Sequence, residues 1–293
     1  MDLPSLPAGH KLRPVLRAAL GTSANLAPSV ASHQHWDAAY FGLDRTHIFQ
    51  DASEEDRARI LDAAGRALLE EAYFIEKSGV AFAAKMVLLS ETTEERLLYA
   101  LFAADEASHF SAVRRFLVRE PEAPEANPFL SLLSGVIENG NRATLQFVIQ
   151  VVLEGWGLEH YRSLRNACAS EALRPILDGI LADEAAHHGS GRVLFDGADV
   201  DAATKQAILD VLRPLLRMVQ AGPQTVVAAV EGVLGHLSRA QRVRLLEELD
   251  GEAHSLTRLT QLRSLMRGER ARDIVEALDA QNAFVPLSYE DCA

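Results

Sequence analysis

Two six-residue stretches carry acidic and imidazole side chains in the same order. Residues 104–109 read Ala-Asp-Glu-Ala-Ser-His, and residues 182–187 read Ala-Asp-Glu-Ala-Ala-His. Residues three apart lie on one face of a helix, so each Glu-x-x-His directs a carboxylate and an imidazole the same way. Carboxylates neutralise the charge of divalent ions, and imidazoles complete the coordination without adding negative charge. Both stretches therefore predict metal ligands.

A further glutamate precedes each Glu-x-x-His by the same interval, which makes the pattern a duplicated unit. Glu76 lies 30 residues before Glu106 (106 − 76), and this unit recurs 78 residues later (184 − 106). Two Glu-x-x-His helices, with one inward glutamate from each of two other helices, supply the ligands of a carboxylate-bridged two-metal centre in a four-helix bundle. The predicted metal ligands, which are also the predicted catalytic residues, are Glu76, Glu106, His109, Glu154, Glu184 and His187.

The shared offset distinguishes this pattern from chance. A single Glu-x-x-His carries little information, because a chain of this composition holds about one by accident. Here two aspartates, Asp105 and Asp183, and two glycines, Gly79 and Gly157, keep the same offset. Buried carboxylates without a cation would be very unfavourable, so a metal is the physical reason for placing them inside. The two aspartates are predicted to accept the remaining N–H of the ligand imidazoles.

The pattern resembles the ferritin-like di-iron carboxylate superfamily over residues 54–196. The resemblance implies an all-α fold, namely a ferritin-like four-helix bundle with an N-terminal arm and additional C-terminal helices. It also implies two iron ions as the cofactor, with manganese as the alternative metal. The chain departs from named subfamilies at single positions. Ser108 and Ala186 replace an arginine of many relatives, and Val113 stands where ribonucleotide reductases carry a radical tyrosine.

Helical periodicity divides the chain into three predicted domains. The N-terminal part holds four prolines and no sustained period, with short helices expected near 12–20 and 36–41. The first long helix is predicted to begin near Ser53, and the second at a capping box that starts with Thr92. The predicted domains are an irregular arm (1–52), a ferritin-like di-metal four-helix bundle (53–198) and a C-terminal helical extension packed on the bundle (199–293).

Side chains three, four or seven residues from a ligand share its helix face and are predicted to line the same interior. Most of them would be core residues, and some would form the wall of an apolar substrate pocket. Gly79 and Gly157 are expected to leave open volume beside the metals. His188 is expected to contact the ligand residues without binding the metal itself, or alternatively to act as an extra ligand or proton donor. The possible pocket residues are Tyr73, Gly79, Tyr99, Phe102, Phe110, Phe147, Val151, Gly157 and Tyr161.

Composition and charge exclude several other classes of protein. Hydrophobic residues make up 48% and aromatic residues 6% of the 293 residues, and the abundance of Ala and Leu favours an all-helical fold. A net charge of −12 argues against a nucleic-acid partner, because phosphate binding needs a basic surface. Cys168 and Cys292 form no C-x-x-C pattern, so neither a disulfide framework nor a zinc site is expected. Without a secretory leader or an apolar run of about 18 residues, we expect a soluble cytoplasmic protein with no membrane partner.

The function predicted from these features is O2-dependent oxidation of a small organic substrate by a non-haem di-iron oxidase or oxygenase. An external electron donor is expected, and a homodimer is possible. Hydroxylation, N-oxygenation, desaturation and C–C cleavage are not distinguished by the sequence. The alternatives are a ferroxidase or peroxidase that handles iron, and a di-manganese catalase with the same ligand types. A metal-free helical scaffold would require the shared register to be accidental.

Overall fold

The computed structural model describes residues 3, 6–7, 9–20, 34–121 and 127–293. In this part of the chain every regular element is a helix, which confirms the predicted all-α class. No described helix combines the length and apolar character that crossing a membrane requires. Of the predicted arm, residues 1–2, 4–5, 8 and 21–33 lie outside the described residues.

The helices fall into an N-terminal set, a set that carries the predicted ligands and a C-terminal set. The first set consists of α1 (Leu12–Ala19), a 3₁₀ turn (Leu43–Arg45) and α2 (His47–Gln50). The second consists of α3 (Glu54–Leu89), α4 (Thr93–Arg114), α5 (Pro128–Asn139), α6 (Arg142–Leu145), a π-helix (Gln146–Glu154), α7 (Gly155–Ala167) and α8 (Arg174–Gly197). The third consists of α9 (Ala202–Gln220), α10 (Gln224–Leu234), α11 (Arg239–Glu248), α12 (Gly251–Leu265), α13 (Arg272–Asp279) and α14 (Tyr289–Cys292).

Capping side chains explain where several helices begin. The Thr92 hydroxyl accepts a hydrogen bond from the backbone N–H of Glu95, at 3.1 Å, as the sequence predicted. The Glu95 carboxylate does not complete the box at Thr92 but accepts from the N–H of Glu91. Asn127 accepts from two backbone N–H groups at the start of α5, whose first residue is a proline that needs no partner there.

The region around Trp36 differs from the sequence prediction. No helix forms at 36–41; these residues make a bend and turns that lead to the 3₁₀ turn at Leu43–Arg45. The Trp36 indole is buried and donates a hydrogen bond to the carbonyl oxygen of Leu164 at 2.8 Å. The apolar residues here therefore anchor an irregular segment rather than one face of a helix.

The chain forms two compact units. The first comprises Met1–Ala31 and Leu68–Arg142, and the second comprises Ser32–Ala67 and Ala143–Ala293. This division by packing is a different property from the domain boundaries at residues 52 and 198, which stay a prediction.

The first unit packs the C-terminal half of α3 with α4 and α5. Phe82 meets Tyr99 edge to face at a centroid distance of 6.2 Å, and Tyr99 meets Phe102 in the same way at 6.0 Å. Lys85 donates to three carbonyl oxygens of residues 137, 138 and 140 at 2.8–3.0 Å. These carbonyls end α5 without helical partners, so the ammonium group stabilises that terminus.

The second unit is built around α8, which packs against the π-helix and α7, and around α9, which packs against α12. A separate apolar cluster joins the segment before α3 and the first turns of α3 to α10, α11 and the residues that flank α11. Its buried members are Leu43, Phe49, Ile60, Val227, Val230, Leu237, Leu245, Leu246 and Leu249.

The π-helix is the largest departure from the regular helices that the periodicity predicted. In this geometry each N–H bonds to the carbonyl five residues earlier, and such segments are rare and frequently occur at functional sites. The π-helix extends over nine residues, and its last residue is Glu154. The equivalent residues of the first copy, 78 positions earlier, lie within the continuous α-helix α3. The sequence repeat is therefore not a repeat of backbone geometry.

Candidate metal centre

The first unit brings three of the predicted ligands together. Glu106 and His109 occupy one face of α4 because they are three residues apart, and Glu76 projects from α3. All three are buried, with 1–5% of their surface exposed. Each offers a ligand atom within 4.8 Å of the others, and the Nδ1 of His109 lies 3.4 Å from a carboxylate oxygen of Glu76. This buried Glu/His group could hold a metal ion.

Electrostatics explain why a cation suits this group. Burial raises the pKa of Glu106 well above its usual value, the negative charge of Glu76 raises it further, and His109 opposes the shift. Two adjacent carboxylates cannot both ionise in an apolar interior without compensation. In the metal-free protein Glu106 therefore retains a proton to higher pH. A divalent ion removes the need for that proton, and the donor set of two oxygens and one imidazole nitrogen fits such an ion.

Gly79 lies beside Glu106, and this contact corrects the prediction of open volume. A Cβ atom at Gly79 would lie 2.0 Å from one carboxylate oxygen of Glu106. The space left by the missing side chain is therefore filled by the Glu106 carboxylate. Gly79 lets that carboxylate lie against α3, one turn after Glu76, and does not open a passage for O2 or substrate.

The second unit brings the other three predicted ligands together. Glu184 and His187 lie on one face of α8, with the His187 Nδ1 3.8 Å from a carboxylate oxygen of Glu184. Glu154, the last residue of the π-helix, offers an oxygen within 4.8 Å of a ring nitrogen of His187. Glu184 and His187 are buried and Glu154 is half-buried. The duplicated motif thus produces a Glu/Glu/His triad in each unit, whereas the role of these residues as ligands stays a prediction.

The π-helix is held to α8 by two hydrogen bonds through Gln150. The Gln150 amide donates to the carbonyl oxygen of His187 at 3.3 Å, and the Nδ1–H of His188 donates to the carbonyl oxygen of Gln150 at 3.1 Å. These bonds fix the segment that carries Glu154 against the helix that carries Glu184. They also assign a structural contact to His188, one residue behind a predicted ligand.

Gln150 is a residue that the sequence interpretation missed. It is fully buried inside the apolar run Phe147–Leu153, and a buried amide needs partners for its donors and its acceptor. One glutamine in such a run was the available signal. Its meaning depends on the π geometry, which no periodic pattern reveals.

The glycines of the second copy do not repeat the role of Gly79. A Cβ at Gly157 would meet nothing within 4 Å, so Gly157 borders open space. Close contact occurs instead at Gly155, where a Cβ would lie 2.7 Å from the His188 ring, and at Gly191, where it would lie 2.3 Å from the Cβ of Gln150. Both glycines allow α8 and its neighbours to approach closely. In the second copy, where the helix type differs, glycine is needed for close packing at Gly155 and Gly191 and not at Gly157, the position that the 78-residue offset predicts.

The predicted pocket residues are buried or half-buried, and several make core contacts. Tyr73 donates a hydrogen bond to the Glu120 carboxylate at 2.6 Å, and its ring lies 4.9 Å from that of Phe110. Burial and Glu120 both raise the pKa of the Tyr73 phenol. Phe147 and Val151 line a narrow slot in the second unit. The buried members of the set are Tyr73, Tyr99, Phe102, Phe147, Val151 and Tyr161.

The two predicted supporting aspartates lie half-buried beside the triads. Asp105 precedes Glu106 on α4, and its charge adds to the rise in the pKa of that glutamate. Asp183 precedes Glu184 in the same way on α8. Their hydrogen bonds to the imidazoles stay a prediction.

No protein-family model, no curated protein and no solved structure matches this chain significantly. The chemistry of the site is therefore inferred from its residues. Buried carboxylates with adjacent imidazoles on rigid helices can bind divalent ions, hold them in a defined geometry and exclude water from them.

Proposed function

We propose that this chain is a non-haem di-iron oxidase or oxygenase that uses O2 to oxidise a small organic substrate. The observation that carries the proposal is the recurrence of two glutamates and a histidine close together in each unit, all buried except the half-buried Glu154. We further propose that the ligand-bearing helices pair as a ferritin-like four-helix bundle, in which the two triads together hold two iron ions. When bound, the ions would activate O2 and take up electrons from the substrate.

The chain's own residues would contribute geometry, a proton site and exclusion of water. The i, i+3 spacing on α4 and α8 aims each glutamate and histidine in the same direction. In the metal-free protein the raised pKa of Glu106 lets its carboxyl group hold a proton, which a bound divalent ion would displace. The apolar side chains of Phe147 and Val151 would keep the approach to the π-helix dry.

Metal analysis with variants of the predicted ligands tests this proposal. The protein is loaded anaerobically with Fe(II), desalted and analysed for iron, and its absorption spectrum is followed after addition of O2. We expect about two irons per chain and an O2-dependent transient that a substrate accelerates or quenches. Glu106→Gln and His187→Ala should each lose iron. Glu94→Gln, at an exposed position of α4, is the matched control and should retain it.

Other outcomes would redirect or reject the proposal. Two irons that oxidise without a transient and without a substrate effect would indicate a ferroxidase or peroxidase. Preferential retention of manganese, with decomposition of hydrogen peroxide, would indicate a di-manganese catalase. Absence of stoichiometric metal, with the variants indistinguishable from the parent protein, would remove the proposal altogether.

A further inference from the structure

A narrow slot opens on the second unit between the π-helix, α8 and the turn that joins α12 to α13. Its floor is apolar: Phe147, Val151 and Phe195 are each 1–4% exposed. The rings of Phe147 and Phe195 lie 4.5 Å apart at a tilt of 31°. Phe147 and Val151 belong to the same π-helix that ends at Glu154, so the floor of the slot is continuous with a segment that carries a predicted ligand.

The mouth of the slot is charged, and its two arginines differ from their neighbours. Arg192 and Arg267 are exposed, and neither guanidinium makes a hydrogen bond or ion pair within the described part of the chain. The other arginines nearby are bonded. Arg263 holds the Asp279 carboxylate with two hydrogen bonds of 2.8 and 3.1 Å. Arg272 pairs with Glu269 at 3.2 Å, and Arg270 donates to the Asp196 carbonyl at 2.6 Å.

The charge balance at the mouth favours an anion. Asp196 also lines the slot, so its lining carries two arginines and one acid, a net charge of one positive. A planar guanidinium can donate two parallel N–H hydrogen bonds to the two oxygens of a carboxylate. A cavity of about 830 Å³ adjoins the slot and shares Arg267 and Gly268 with it. The charged residues that line this cavity are balanced. Three arginines (Arg263, Arg267 and Arg272) are matched by three acids (Glu269, Glu276 and Asp279).

The turn around Gly268 lies between the slot and the larger cavity and lines both of them. The slot itself has a volume of only about 10 Å³, enough for about one water molecule. Gly268 has a backbone φ of +142°, a conformation that residues other than glycine rarely adopt. It lies between Arg267 and Glu269, in the stretch after α12 and before α13. To admit a chain larger than a water molecule, the slot would have to widen at this turn, toward the larger cavity.

We propose that the slot is the substrate entrance and that it selects a small organic acid with an apolar chain. The carboxylate binds Arg192 and Arg267 at the mouth, and the apolar part lies on Phe147 and Val151 toward the π-helix. This inference rests on the proposed function, because it names the substrate class of the same oxidase. Its physical basis does not need the metal, since every residue that contacts the acid is a side chain of the second unit.

Titration calorimetry on the metal-free protein, in a chelating buffer, tests the proposal. The probes are octanoate, octylamine and octan-1-ol, which share a chain length and differ in charge. We expect octanoate to bind one per chain, more tightly than either of the others, and more weakly as salt is added. Shortening the acid by one methylene should lower affinity by about fourfold, the cost of one buried CH₂.

Variants decide which residues recognise the acid. Arg192→Gln and Arg267→Gln should each weaken octanoate by about tenfold, the effect of one charge-assisted hydrogen bond at an exposed site. Val151→Trp should fill the slot and abolish binding, with circular dichroism confirming the fold. Arg244→Gln, an exposed arginine of α11 that pairs with Glu248, should change nothing.

Equal binding of octanoate and octylamine, no binding of octanoate, or insensitivity to both arginine variants would overturn the proposal. These results are distinguishable from failure of the oxidase proposal. Octanoate binding without stoichiometric iron would support acid binding in the slot and reject the oxidase proposal. Two irons per chain without selection for octanoate would support the oxidase proposal and reject acid binding in the slot.

Discussion

Glu106 lies beside a second buried carboxylate, and this proximity determines how the metal-free protein responds to pH. Its folded-state pKa is raised, so between the unfolded pKa near 4.5 and the folded pKa the native state binds more protons than the unfolded state. Stability contributed by this carboxyl group is therefore complete below pH 4.5 and is lost as the pH rises through the folded pKa. The ionised form is the unfavourable one, because it adds a charge beside Glu76.

Replacing Glu106 by glutamine should therefore stabilise the metal-free protein at neutral pH. We expect a gain of about 1–3 kcal/mol, the penalty of an uncompensated buried group, and a smaller difference at pH 5. The measurement is urea unfolding in EDTA at pH 5 and pH 8. Glu94→Gln on the same helix provides the baseline. A difference between parent and Glu106→Gln that is independent of pH would contradict the raised pKa.

A substitution at Gly79 should affect metal affinity much more than it affects the free energy of unfolding. Alanine there favours the helix by up to about 1 kcal/mol, but its Cβ would occupy the position of the Glu106 carboxylate. We expect Gly79→Ala to change the free energy of unfolding of the metal-free protein by no more than about 1 kcal/mol. Its metal affinity should fall at least about tenfold, as when a ligand's support is removed. Thermal denaturation in EDTA and a competitive chelator titration measure the two quantities.

The matched control for this change is Gly157→Ala, where a Cβ meets nothing within 4 Å. It should preserve metal affinity. If both alanine variants bind metal as well as the parent protein, the carboxylate of Glu106 is not a ligand or does not need the place it occupies.

At the scale of elements, the contact of α8 with the π-helix is the tightest approach that glycine permits in the second unit. A Cβ at Gly191 would lie 2.3 Å from the Cβ of Gln150 and 3.3 Å from its backbone carbon. Because backbone cannot move aside as a side chain can, Gly191→Ala forces the two helices apart. We expect a loss of about 1–3 kcal/mol in the free energy of unfolding, measured by urea denaturation.

Gly189→Ala on the same helix is the comparison for this loss. Its Cβ would have open space around it, and alanine favours a helix over glycine, so stability should be unchanged or slightly higher. A similar loss in both variants would mean that α8 responds to any added side chain and that close packing on Gln150 is not the cause.

Much of the element structure could be predicted from local chemistry. The start of α4 follows from the Thr92 hydroxyl, and the start of α5 from Asn127 followed by proline. The region 36–41 could not be predicted in the same way. Its apolar residues are buried by long-range contacts, such as the hydrogen bond from Trp36 to Leu164, that periodicity does not encode.

The proximity of the predicted residues within each unit was predictable, whereas their role as ligands stays a prediction and the backbone geometry was not foreseen. The joint register of the glutamates and histidines predicts which residues meet within each unit, because i, i+3 spacing depends only on helix geometry. It does not predict the π-helix, since a π segment has no separate sequence period. That segment places Gln150 and Gly155 against α8, and it leaves Gly157 in open space.

At the scale of the whole molecule, metal binding should add directly to stability. A ligand that binds only the native state stabilises it by RT ln(1 + [L]/Kd), about 2.7 kcal/mol at one hundred times Kd. We expect Fe(II) under anaerobic conditions to raise the unfolding temperature, and EDTA to reverse the rise. Differential scanning calorimetry gives the measurement. The rise should vanish in a chain that carries both Glu106→Gln and His187→Ala, and its persistence there would place the metal elsewhere.

The helix type of the two copies has a consequence for how iron would be observed. One copy presents its first glutamate from a regular α-helix, and the other presents it from the last residue of a π-helix. The two irons would then have the same types of ligand but different coordination environments. Mössbauer spectra of the loaded protein should resolve two quadrupole doublets of equal area, and substoichiometric iron should populate one before the other. If both triads bind iron, the duplicated sequence would supply matching ligands, and the difference in helix type would give each ion a different chemical environment.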